Sequence, residues 1–256
     1  MSLRDREYRA VWWRSLLAVL WIFTASGCAT VENHHDPLES INRVSDGFNT
    51  LLDKITLAPT ARGYGQVTPG VIRTIVSNFF DNSVYMNVVL NDLLQGKGRQ
   101  GAQDFGRFLF NSTLGVGGLF DPATSIGLVK HDEDFGQTLA TWGVGEGAYV
   151  VYPFFGPNSY RNTPDFVTAT VTDVLFWVSL SAAPAVTIPL TVLKAVDKRY
   201  RLIAAANLRD DMALDTYIFT REAWRQHREF LIYDGSPPSH PSRDDWEDDD
   251  WVDDGA

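Results

Sequence analysis

From Leu38 onward apolar residues return every three or four positions. Leu38, Ile41, Ser45, Phe48, Leu52 and Ile55 make one largely apolar stripe, and Asn42, Arg43, Asp46 and Asp53 lie off it. That period predicts an amphipathic helix over about residues 37–56. Asp36 as N-cap, Pro37 at the first helical position and Glu39 three residues after the cap resemble a capping box. Pro59 and the segment GYGQVTPG then read as a break. A second helix is predicted over 69–80 (Val71, Ile72, Ile75, Val76, Phe79) and a third over 82–95 (Tyr85, Val88, Val89, Leu93), ending at Gly96. A fourth, over 99–112, carries Ala102, Phe105, Phe108 and Leu109.

The chain next loosens into NSTLGVGGLFDPATSIG, where glycines and a proline predict a loop or hinge of defined shape. A short helix follows over 133–141, and from Phe135 to Tyr160 the only charged side chain is Glu146. Val174 to Leu193 holds no charge at all, but Pro184 and Pro189 interrupt it. It reads as a broken helical pair lying along or partly into an apolar phase, not as a spanning helix. Two amphipathic helices close the chain, one lined by Leu193, Val196, Tyr200 and Ile203, the other by Leu214, Tyr217, Ile218, Trp224 and Leu231. Strand-like alternation is scarce, so the predicted class is all-α.

The N-terminus changes the picture. Arg4, Arg6, Arg9 and Arg14 precede an apolar run, Leu16 to Phe23, which is too short to span a bilayer, and Ala25, Ser26 and Gly27 form a small-residue cleavage site. The next residue, Cys28, is the only cysteine of the 256-residue chain, which excludes an intramolecular disulfide. ASGC resembles a bacterial lipobox, with Ala25 where that pattern prefers leucine, and so implies a lipidated Cys28. Ala29 after it, in place of aspartate, implies sorting to a Gram-negative outer membrane, and two or three acyl chains make a durable anchor. The organisation read this way is a signal peptide (1–27), a tether (28–35), one helical domain (36–233) and a Pro/Ser linker with an acidic, disordered tail (234–256).

Net charge is −10, but residues 244–254 carry eight acids, leaving −2 elsewhere. No basic stripe is available to collect phosphates, so nucleic acid is not an expected partner. His34 and His35 stand in the tether and His131, His227 and His240 stand alone, which gives no metal-ligand spacing. GVGEG (Gly143–Gly147) lacks the strand and helix of a nucleotide-binding loop, and no nucleophile can be paired with a base. Neither cofactor nor enzymatic activity is expected.

Five stretches, taken in order, resemble the VacJ/MlaA family of outer-membrane lipoproteins: DPLESINR (Asp36–Arg43), SNFFDN (Ser77–Asn82), RFLFNSTLGVGGLFDPA (Arg107–Ala123), EDFGQTLATWGVGEGAYVVYPFFGP (Glu133–Pro157) and DTYIFTREAWRQHREF (Asp215–Phe230). The resemblance implies a ring-like bundle of amphipathic helices in the inner leaflet of the outer membrane, with a central amphipathic channel. It implies removal of misplaced phospholipids from the outer leaflet, transfer to a periplasmic phospholipid carrier that feeds an inner-membrane ABC transporter, association with trimeric porins, and no covalent chemistry. Gly115, Gly117, Gly118 and Asp121 are then expected in a gating loop. Phe48, Phe79, Phe80, Trp142, Tyr152, Phe154 and Phe155 are expected as channel or membrane contacts, with core packing as the competing role of the first three. The alternative is a structural lipoprotein that supports porins or envelope assembly without moving lipid.

Overall fold

The computed structural model describes residues 36–238; the expected signal peptide, Cys28, the tether and the whole acidic run 244–254 lie outside them. Helix α1 (Glu39–Leu52) continues through a π-helical turn (Asp53–Leu57) into α2 (Ala58–Val67). The expected break at Pro59 is therefore absent. Pro59 has no N–H to give the Ile55 carbonyl, and the wider π turn just before it absorbs the lost bond instead of ending the helix. The glycines of GYGQ lie within α2, where the Tyr200 ring rests so close to Gly65 that no Cβ fits between them.

Helix α3 (Gly70–Leu94) is one 25-residue helix, not the two expected, because nothing between Val71 and Leu94 breaks it. The change of stripe near Asp81 marks a change of neighbours: Asp81 receives Lys130 at 2.6 Å and Arg201 at 2.8 Å. Helix α4 (Gly98–Thr113) packs back along α3, followed by the glycine-rich turn, a single helical turn α5 (Pro122–Ser125) and α6 (Phe135–Thr141). A small antiparallel hairpin, β1 (Tyr149–Tyr152) and β2 (Gly156–Ser159), follows, with Tyr149 opposite Ser159 and Tyr152 opposite Gly156. Two four-residue strands are too short for alternation to reveal them, so the otherwise helical class gains one hairpin.

Helices α7 (Asp165–Thr172) and α8 (Val174–Ser181) lead to α9 (Pro184–Arg201). The uncharged run is broken as predicted, but only at Ala182–Ala183: Pro184 occupies the tolerated first position of α9, and Pro189 lies inside it. Among the described residues no helix is long and apolar enough to cross a bilayer. Helix α10 (Ile203–Met212) was not anticipated, and α11 (Thr216–Ile232) closes the fold, capped by Asp215 through the amides of Tyr217 and Ile218.

Asp36 is not the cap of α1. Its carboxylate is buried, accepts the Tyr217 hydroxyl, Asn42 Nδ2 at 3.0 Å and an Arg221 nitrogen at 3.3 Å, and so ties the chain's entry to α11. Beside it Tyr149, Val151 and Tyr217 form the apolar core with Trp224 against them, the Tyr149 and Trp224 rings meeting at 5.5 Å.

Candidate functional site

The two faces of α1 have exchanged the roles they hold in a water-soluble helix. Ile41, Val44, Phe48, Leu51 and Ile55, a stripe with spacings of three and four, are between 43% and 75% exposed, whereas Asn42 is fully buried. Asn42 Nδ2 donates to the Tyr149 carbonyl at 3.0 Å and its Oδ1 accepts the Val151 N–H at 2.8 Å. Two helical turns later Asn49 repeats the pattern on the Tyr152 carbonyl (3.0 Å) and the Phe154 N–H (2.7 Å). Each side-chain amide therefore stands in for a neighbouring strand and covers the backbone edge of β1.

Helix α4 is inverted in the same sense. Asp104, Arg107 and Asn111 point inward and are buried, while Phe105, Leu109 and Phe110, two of them on the predicted apolar stripe, are exposed. An apolar face turned outward lowers free energy only where something apolar covers it.

The hairpin turn adds an aromatic patch to that outer surface. Phe48 meets Phe154 edge to face with centroids 5.2 Å apart, and Phe155 and Tyr152 meet Phe166 at 5.1 and 5.5 Å. Phe154 and Phe155 are each 72% exposed, and Phe154 is held at φ +69°. Phe48, Tyr152, Phe154 and Phe155 are thus brought together. Phe80 is buried at the contact of its ring with Phe79 (5.3 Å), so packing, not lipid contact, is its role in this conformation. Trp142 is exposed in another neighbourhood, edge-on to Phe135 and donating to the Leu94 carbonyl at 3.1 Å.

The glycine-rich segment is a fastened cap. The amides of Gly115, Gly117 and Gly118 return to the carbonyls of Phe110, Ser112 and Asn111 at 3.0, 2.9 and 2.8 Å, satisfying the end of α4. Val116, Gly117 and Gly118 all have positive φ, and a Cβ on Gly118 would lie 2.5 Å from Asn82 Cβ. Asp121 closes the base: it pairs with Arg107, accepts Asn111 Nδ2 at 3.0 Å and caps α5 through Thr124 N at 3.1 Å. The expectation of a hinged gate therefore meets a loop bonded at both ends. A polar recess of about 30 Å³, room for about one water, lies between the loop's base and α3, lined in part by Asn78, Asp81, Asn82 and Lys130. Leu114, Val116 and Phe120 stand exposed on the loop beside it.

Between α3 and α4 lies a buried acidic cluster. Asp104 accepts the Tyr85 hydroxyl at 2.6 Å and faces His131 Nδ1 at 2.7 Å; Glu133 receives Lys97 and Gln95, both at 2.8 Å. Asp92 accepts Gln100 Nε2 at 2.7 Å, and its second oxygen has no partner that donates. Burial first, then the adjoining carboxylates of Asp104 and Glu133, push the Asp92 carboxyl up to about 8. The folded chain thus holds a proton that the unfolded chain has released, so this group's contribution to stability falls as pH rises from the ordinary carboxylate range toward 8. Asp92→Asn keeps the acceptor for Gln100 and supplies a permanent N–H. It is expected to flatten that fall and gain on the order of 1–2 kcal/mol at pH 8 over wild type. Urea unfolding at pH 5.5 and 8 checks this; equal losses at both would mean that Asp92 is ionised in the fold.

No group of three His, Cys, Asp or Glu side chains among the described residues is placed to hold a metal ion. The features that do stand out are the inverted helices, the aromatic patch and the fastened loop, and the signal for them lay in residue pairs far apart in sequence.

Comparison with known proteins places this architecture. The family model described as MlaA lipoprotein matches residues 34–231. The Shigella flexneri protein named "Intermembrane phospholipid transport system lipoprotein MlaA" is 32% identical, the match covering 89% of this chain and 91% of that one. The Haemophilus influenzae protein of the same name is 30% identical, over 86% and 90% of the two chains. An uncharacterized Rickettsia bellii protein is 34% identical over 81% and 79%. A solved structure described as "Structural basis for maintenance of bacterial outer membrane lipid asymmetry" superposes with a TM-score of 0.65 at 31% identity, covering 77% of this chain and 98% of that chain. With the family model spanning nearly the whole described domain and relatives above 30% identity along most of its length, this chain belongs to the MlaA lipoprotein family.

Proposed function

We propose that this chain is an outer-membrane lipoprotein that removes misplaced phospholipids from the outer leaflet and passes them to a soluble periplasmic carrier. The observation that carries the reading is the inverted amphipathicity of α1 and α4, polar faces bonded inward and apolar faces turned out. Such a body sits among acyl chains with its backbone satisfied internally. Cys28 supplies the anchor, and the helices lie in the inner leaflet as a ring without crossing the membrane. The names of the Shigella and Haemophilus relatives support phospholipid as the cargo.

Phospholipid needs a route with a polar lining for the headgroup and an apolar border for the tails. We place that route along the loop's outer flank, outside the one-water recess, where polar Asn78, Asp81 and Lys130 stand next to exposed Leu114, Val116 and Phe120. The loop acts as a fixed wall. No nucleotide is spent here; energy comes from the unfavourable position of the misplaced lipid or from an ABC transporter downstream of the carrier. Porins adjoin the outward apolar surface.

The test is outer-leaflet phosphatidylethanolamine in intact cells, labelled with a membrane-impermeant amine reagent. The gene deletion is expected to accumulate label, and wild type to clear it. Gly118→Val, which drives a side chain into Asn82, is expected to fail at equal protein level. A deletion with normal label but missing or misassembled porins would replace this reading with the structural-lipoprotein one.

A further inference from the structure

A second polar feature lies away from the loop. The segment Glu146–Ala148, Arg161 just after β2, and α11 border an open cavity of about 730 Å³, in the range of small-molecule sites. Arg161, Arg225 and Arg228 line it together with Glu146, Glu222 and Glu229.

Arg161 and Arg228 each leave one buried donor unmatched. Arg228 is 8% exposed, and its two terminal nitrogens hold Asp134, one at 2.9 Å; its Nε–H is buried and has no partner. That pairing, against the cost of burial, keeps Asp134 below the usual carboxylate range. Arg161 gives one bond, to the Val144 carbonyl at 3.2 Å, has no carboxylate within ion-pairing distance among the described residues, and its Nε–H is also buried without a partner. Burial makes its cation less favourable; Glu146 offsets part of that cost and the positive charge of Arg228 adds to it. Arg161 is thus a lining cation with no anion bonded to it, beside an Arg228 whose charge Asp134 already meets, and a partly desolvated cation of that kind costs free energy until an anion reaches its terminal nitrogens.

The acidic residues give the ligand a second requirement. Glu222 is taken by Arg221 at 2.8 Å, and Glu146 lies only loosely, 4.0 Å, from Arg225. A simple anion would meet repulsion from Glu146, whereas a group carrying a phosphate and an ammonium a few bonds apart is matched at both ends. The lining offers Pro37 and Ile232 as its larger apolar side chains, too little surface to shield two acyl chains.

We propose that this cavity is a recognition site for a zwitterionic phosphodiester headgroup of the phosphoethanolamine type, its phosphate held by Arg161 and its ammonium by Glu146. The inference rests on the phospholipid reading above and specifies the headgroup that the protein reads. Tails remain outside the cavity, against the apolar surface or a receiving protein.

The test is calorimetric titration of the purified full-length lipoprotein in detergent with glycerophosphoethanolamine and, separately, with inorganic phosphate. Glycerophosphoethanolamine is expected to bind more tightly than phosphate. Arg161→Gln is expected to weaken both by on the order of tenfold, the loss of one charge-assisted contact, and Glu146→Gln to weaken only the zwitterion. Arg161 makes no ion pair in the fold, so Arg161→Gln should keep the wild-type melting temperature, measured in the same preparation. Equal affinity for phosphate and the diester, or diester binding untouched by Arg161→Gln, would overturn the proposal. So would no binding to the wild type. Should the deletion strain still accumulate outer-leaflet phosphatidylethanolamine after such a result, the transport reading stands and the headgroup site alone falls.

Discussion

Asn42→Leu is expected to cost this fold about 3–5 kcal/mol, the largest loss of any single substitution considered for its stability. Asn42 is fully buried, and its amide serves three groups at once: Asp36, the Tyr149 carbonyl and the Val151 amide. Leucine has the same branching and the same number of heavy side-chain atoms but bulkier ends, so some overpacking adds to a loss that is mainly polar in origin. It strands a buried carbonyl and a buried N–H on β1 and removes one donor from a buried carboxylate, each worth on the order of 1–3 kcal/mol when left unpaired. The hairpin has no third strand to share the load, and a two-stranded sheet of this length is marginal without support. Asn49→Ala, which removes the equivalent pair at the exposed turn, is expected to cost about 1 kcal/mol, because water replaces the lost partners. Urea unfolding of both variants measures the difference. Equal, small losses would mean that the strand edge is satisfied in some other way and that the asparagines are incidental.

That pair of residues also shows what sequence periodicity can and cannot deliver. The stripe on α1 was legible because a 3.6-residue period separates two faces whatever their surroundings. Which face turns inward was not legible, since a helix in lipid and a helix in water carry the same period with the solvent exchanged. Phe105 and Leu109 on α4 repeat the case, the apolar stripe facing out and Asp104, Arg107 and Asn111 facing in. Pro59 misled for a local reason: a π turn absorbs a missing donor without leaving a compositional mark. The hairpin was hidden because its stability comes from Asn42 and Asn49, more than a hundred residues away in sequence. At the site, Phe48, Phe154 and Phe155 were legible as aromatics and their meeting was not. For Phe80 the sequence leaves channel contact and core packing open, and the fold buries it. Arg161 and Arg228 went unnoticed because nothing in a sequence distinguishes a paired arginine from one with an orphaned Nε.

Glutamates at Val44, Phe48 and Leu51 together are expected to release the protein from membranes while leaving it folded. These three side chains are 75%, 43% and 60% exposed and occupy successive turns of the outward stripe on α1. Their replacement removes few internal contacts; the edge-on contact of Phe48 with Phe154 is the main one lost. Against a bilayer the balance is different. Each apolar side chain moved from water into hydrocarbon contributes about 1–2 kcal/mol at partial exposure, and a carboxylate in its place opposes insertion. Three such changes lower partitioning by on the order of a hundredfold or more. The measurement is liposome flotation with a chain beginning at Ala29, so that no acyl anchor masks the contribution of the helix. Leu214→Glu is the control: Leu214 is fully exposed between α10 and α11 but stands off the stripe, and its variant is expected to float like wild type. If the triple variant also floated undiminished, the outward stripe would have to be covered by protein, and the porin-supporting alternative would gain what the membrane reading lost. Loss of flotation in the triple variant alone would tie membrane residence to one helix face, independently of lipidation.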